Sequence, residues 1–105
     1  MAEIKYLEGM YQDSFFPTFL VDKLKQYMLD TVQFLEQGNH HDTEAIQGKL
    51  DEMTLAINDL QDEFYENDSE LETGARDSIA ETVISILSYY KIDIDIEEAL
   101  RERDW

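Results

Sequence analysis

Apolar side chains recur at steps of three and four along most of this chain, and the longest unbroken register runs Ile46, Leu50, Met53, Ile57, Leu60 and Phe64. The period is that of a helix. It runs for less than three heptads, too short to separate a coiled-coil seam from a helix packed in a bundle at a shallow angle. Asp42 or Thr43 is placed to cap this helix, and Asn67, Asp68 and Ser69 interrupt it. Upstream, Leu20, Leu24, Met28, Thr31 and Leu35 mark another helix. It should begin at Pro17 or Thr18, because Pro17 suits a first turn and forces Phe16 toward an extended conformation. Gly38 and Asn39 form a left-handed stop, so it should end near Gln37.

Downstream, Ser69 with Glu72 reads as a capping box and predicts a third helix over 69–91. One of its stripes runs through Leu71, Ala75, Ile79, Val83, Ile86 and Tyr90, and a second through Ala80, Ile84 and Leu87. A helix apolar on two sides either sits between two neighbours or keeps a spare face for a second copy of the chain, and the two-sided pattern favours the first. Ile4, Leu7 and Tyr11 predict a short helix near residues 3–11; Asp95 with Glu98 predicts a short capped helix carrying Ile96, Ala99 and Leu100. Three striped helices in one chain favour an all-α, up-and-down bundle with short terminal helices, a single domain over residues 1–105.

Composition supports folding and narrows the partners. With 105 residues and 43% apolar content the chain is large enough to close one core without disulfide or metal. Its 25 acidic and 8 basic residues leave a net charge of −17, whose self-repulsion should make stability rise with salt. The same charge argues against nucleic acid and anionic membranes as partners, since binding to phosphates is driven by Lys and Arg. The absence of cysteine rules out thiol catalysis and thiolate metal sites. The start, MAEIKYLEGMYQ, lacks a basic region followed by an apolar run, and no apolar run nears roughly 18 residues, so a cytoplasmic protein is expected.

The charge is not evenly spread. Between Lys49 and Lys91 lie eleven carboxylates and a single basic residue, Arg76. On the helix that carries the strongest seam, Asp51, Leu55, Asp59 and Asp62 fall on the far side, flanked by Glu52, Glu63 and Glu66. Leu55 is out of place there. It is covered by the protein's own N-terminal segment on a merely solvated face, which is the commoner arrangement, or it anchors a basic protein partner that the surrounding acids attract. In the second reading Asp51, Asp59, Asp62, Glu63 and Glu66 steer the partner. An inhibitor of the immunity type, neutralising a basic nuclease, is a concrete form of it.

Other constellations read as structure. Arg76 follows Glu72 by four residues, the spacing of a helical ion pair. His40, His41 and Asp42 read as loop polarity, because adjacent side chains diverge and no Glu-x-x-His pattern of a di-iron bundle includes either histidine. Asp93, Asp95 and Glu97 alternate as oxygen ligands do, but lack the glycine turn of a calcium loop and read as capping. No metal or other cofactor is expected. With no nucleophile beside a base and no phosphate-cradling loop, no catalytic residue is assigned. Tyr6, Tyr11, Phe15, Phe16 and Phe19, with Trp105, read as core packing. The alternative is a small enzyme or a ligand or metal binder that combines this aromatic segment with carboxylates.

The segments YLEGMYQDSFFPTFLVDK (Tyr6 to Lys23) and EFYENDSELETGARDSI (Glu63 to Ile79), with the ending Asp104, Trp105, resemble a small family of bacterial proteins, domain of unknown function 5713. The likeness runs along nearly the whole chain. It implies a bacterial source and one small domain, and it transfers no catalytic or binding residue. The residues themselves favour a non-enzymatic interaction module with an acidic helical face.

Overall fold

Pro17 has no amide proton to lose, and its carbonyl accepts the amides of Leu20 (3.0 Å) and Val21 (3.1 Å), which starts the first long helix where the sequence places it. In the computed structural model, which describes residues 4–39 and 42–105, a single turn, α1 (Glu8–Tyr11), precedes this helix, α2 (Thr18–Phe34). Two more long helices follow, α3 (Thr43–Glu66) and α4 (Thr73–Tyr89), and then a second single turn, α5 (Ile96–Ala99). The described residues contain no strand, and the fold is all-α. Any part of the predicted 3–11 helix over residues 1–3, as well as His40 and His41, lies outside the described residues.

After α2 the chain makes one wide π-type turn, Leu35–Asn39, and leaves helical geometry at Gly38, whose φ of 94° suits glycine. Asp42 then caps α3 by accepting the amide of Ala45 at 3.2 Å. All six residues of the predicted α3 register are buried, facing Leu20, Leu24 and Met28 of α2 and Ile79, Val83 and Ile86 of α4 across one core. Each such side chain contributes about 1.5–3 kcal/mol by leaving water.

The third helix starts four residues later than the sequence suggests. The Ser69–Glu72 capping box does not form, and α4 begins at Thr73 without a side-chain cap. Ser69 is instead used to close α3: its amide reaches back to the Phe64 carbonyl (2.8 Å) and that of Asp68 to Tyr65 (3.2 Å), with Asp68 left-handed at φ 57°. The end of α4 repeats this geometry, with Ile92 bonded to Leu87 (2.8 Å), Lys91 to Ser88 (3.2 Å), and Lys91 at φ 55°. Both are Schellman closures with a side chain at the position that favours glycine. Asp68→Gly and Lys91→Gly are therefore expected to raise stability by about 0.5–1 kcal/mol each, the lysine more, because aspartate tolerates the left-handed region better. Urea midpoints check this.

The N-terminal segment lies on α4. Buried Leu7 takes a left-handed conformation (φ 55°), and its amide donates to Thr82 Oγ1 at 3.0 Å, while the same hydroxyl donates to the Ser78 carbonyl at 3.0 Å. α5 also packs on α4, which thus has small elements against it besides the bundle. Of its second stripe Leu87 is buried, Ala80 half-buried and Ile84 exposed. The box of Asp95 with Glu98 also fails: α5 follows Asp95, but that side chain accepts no capping bond.

Candidate partner-binding face

α3 presents three surfaces. Its seam builds the core. Beside the seam Gln47, Asp51, Thr54, Asn58 and Gln61 recur at steps of four and three, a polar stripe as regular as the apolar one. Four of these residues hold the C-terminal segment. Gln47 Nε2 donates to the Glu98 carbonyl (3.0 Å) and to Asp51 Oδ1 (3.0 Å), Asn58 Nδ2 donates to the Glu102 carbonyl (2.8 Å), and the Asp104 amide donates to Asn58 Oδ1 (3.1 Å). Gln61 Nε2 donates to the Asp104 carboxylate. The fifth, Thr54, is buried and donates to the Leu50 carbonyl at 2.7 Å. At the end of the strap Trp105 is buried, with the Arg103 guanidinium 5.6 Å from its ring.

Asp51 belongs to this strap. Its carboxylate is gripped in a fork by Arg101, from Nη2 at 2.7 Å and Nε at 3.1 Å. The Arg101 hydrogen bonds hold Asp51 below its ordinary value, against the opposing effect of burial, and the Gln47 bond adds to them. A depressed carboxylate stabilises the fold above its unfolded value of 3.8 and loses that contribution as pH falls through the lower folded value. Asp51→Asn should accordingly be less stable at neutral pH, and its urea midpoint should fall less steeply below about pH 4. Equal acid limbs in the two proteins would remove Asp51 from acid unfolding.

The outer surface is what remains. Leu55 lies opposite the seam and is 48% exposed, so the N-terminal segment, which packs on α4, does not cover it. Asp59, Asp62 and Glu66 are exposed around it, without an ion pair among the described residues. Glu63 differs: it pairs with Lys23 of α2, and Glu52 pairs with Lys49 at 3.0 Å. Of the six residues singled out by the sequence, Leu55, Asp59, Asp62 and Glu66 share an open face. Asp51 and Glu63 are engaged within the chain and drop out. From Leu55 to Glu66 the face runs about 16 Å along the helix.

The remaining candidates separate as well. Arg76 makes no ion pair with Glu72 or with any other described residue, so the predicted helical pair is absent. Glu97 pairs loosely with Arg103 at 3.8 Å. The aromatic segment splits. Phe16 is buried edge-on against Phe64 (6.5 Å between centroids), Phe15 rests on Phe16 at 5.2 Å, and Phe15 and Phe19 are exposed. Tyr11 donates to Asp22 Oδ1 at 2.6 Å, and burial together with that bond pushes its hydroxyl up to about 12. No described group of His, Asp or Glu is placed to hold a metal ion, and no described helix is long and apolar enough to cross a membrane. The strap was missed by sequence reasoning, though the polar period of Gln47, Asp51, Thr54, Asn58 and Gln61 was there to be found.

Comparison with known families gives a match over the whole of this sequence. The model of a family of unknown function, DUF5713, covers residues 1–105, and the chain belongs to that family. No curated protein and no solved structure matched the chain.

Proposed function

We propose that this member of the DUF5713 family is a non-enzymatic interaction module whose α3 face binds a basic protein. The observation that carries the reading is Leu55, a large apolar side chain left 48% exposed among carboxylates that no cation of the described chain engages. Asp59, Asp62 and Glu66 attract and orient the partner through their field, and Leu55 supplies the desolvated contact at the centre. A single convex helix suits a concave basic surface better than a small substrate, which needs a pocket. The phosphate-binding groove of a nuclease is such a surface, and an immunity-type inhibitor is the concrete form of this function. Affinity capture from cells that express the chain, at low and at moderate salt, tests it on wild type and on Asp59→Lys/Asp62→Lys/Glu66→Lys. A basic protein retained by wild type, released by salt and absent from the variant supports the reading. Equal capture by both overturns it.

A further inference from the structure

Where the N-terminal segment crosses α4, the two enclose a pocket of about 150 Å³, lined by Lys5 and Glu8 of the segment and by Ser78, Glu81, Thr82 and Ser85 from one face of the helix. Buried Ser78 and Thr82 and half-buried Ser85 form its floor, and Lys5, Glu8 and Glu81 stand exposed at its rim. Neither the ammonium nor the two carboxylates make an ion pair among the described residues. None of the lining residues belongs to α3, so binding here and capture of a partner by the α3 face are independent.

Ser78 is the residue that the fold does not account for. Among the described residues the long helices bury four hydroxyl side chains, Thr31, Thr54, Ser78 and Thr82, and Ser78 is 5% exposed. The three threonines each donate to the carbonyl one turn earlier, to Tyr27 at 3.1 Å, Leu50 at 2.7 Å and Ser78 at 3.0 Å. Thr82 also accepts the Leu7 amide, so its hydroxyl is already engaged. The Ser78 hydroxyl has no hydrogen-bond partner among the described residues, yet it is not sealed off as the unpartnered Ser69 oxygen is, and it opens on the pocket. The N-terminal segment leaves it room, since even a Cβ at Gly9 would stand 3.7 Å away. Alanine would hold the same place with a better helix propensity and no unpaired oxygen, so neither the helix nor the packing requires a serine.

We infer that this pocket binds a free α-amino acid with a short side chain, of alanine size. At roughly 30 Å³ for each liquid water, the space holds about five non-hydrogen atoms beneath an open rim. Charges of both signs stand around it. A simple anion would meet Glu8 and Glu81, and a simple cation would meet Lys5, whereas a zwitterion gives its carboxylate to Lys5 and its ammonium group to the two glutamates. The Ser78 hydroxyl, able to donate and to accept, bonds whichever end reaches the floor. No described group is placed to hold a metal ion instead.

L-alanine titrated into the full chain at constant ionic strength and followed by amide NMR tests this, with sodium acetate and methylammonium chloride as probes that each carry one of its charged ends. Saturable shifts centred on Gly9, Ser78 and Thr82 are expected, with L-alanine binding at least tenfold more tightly than either probe. Lys5→Gln and Glu81→Gln should each weaken that binding at least tenfold. Ser78→Ala should do the same while its thermal midpoint without ligand holds or rises, because the variant loses an unpaired oxygen and gains helix propensity. A midpoint that falls would make the hydroxyl a part of the fold and overturn the inference. Shifts no larger than those of the two probes, or binding that survives Ser78→Ala, overturn it as well and leave the pocket to water.

Discussion

Reversing Asp59, Asp62 and Glu66 to lysine is expected to slow association with a basic partner about 100-fold at low ionic strength, with a much smaller effect near 0.5 M salt. The size follows from where the charges stand. All three are exposed on one helix face and none is neutralised by the described chain, so each contributes its full field to the encounter. Reversal of Asp51 or Glu63 would confound the measurement by breaking the Arg101 or Lys23 pair. The triple variant touches neither, and it lowers the magnitude of a net charge of −17, so its thermal midpoint should hold or rise. Leu55→Ala should act differently, leaving the association rate near wild type and speeding dissociation roughly tenfold or more. Stopped-flow mixing at several salt concentrations separates the two. A rate that ignores the triple reversal would remove steering from the account.

Trp105→Ala is expected to destabilise the protein by about 3 kcal/mol, the lower end for a buried tryptophan. Trp105 is the anchor of a strap otherwise held to α3 by hydrogen bonds from Gln47, Asn58 and Gln61 and by the Arg101–Asp51 pair. Its apolar area argues for a large loss. Its indole N–H argues for a smaller one, because that donor is buried without a partner among the described residues, a penalty of about 1–3 kcal/mol already present in the wild type. Trp105→Phe keeps most of the ring and removes the orphan donor, so it should lie within about 1 kcal/mol of wild type on either side. Urea unfolding of both variants decides the matter. A loss below 1 kcal/mol for the alanine would show that the strap is held by its polar bonds instead.

How far the sequence reaches depends on the range of the interaction. The three long helices, the left-handed stop at Gly38 and the break over Asn67 to Ser69 were legible, because helix period and its interruption are properties of neighbouring residues, whereas the left-handed turn at Asp68 was not read. The capping boxes were over-read for the same reason. Ser69 and Glu72 have the right spacing, but the Phe64 carbonyl competes for the Ser69 amide, and closing α3 pulls Ser69 out of the next helix. A local rule has no access to that competition.

The candidate face divides along the same line. That Leu55 points away from the seam followed from helix geometry, and so did the company of Asp59, Asp62 and Glu66. Which carboxylates stay available did not, since Lys23 reaches Glu63 across 40 residues and Arg101 reaches Asp51 across 50. Periodicity along α3 determined which side chains leave the core. Only the packing of α2 and of the C-terminal strap decided which of them meet a cation of their own chain and which still face outward, because charge pairing is set by distance in space and sequence specifies distance only along the chain.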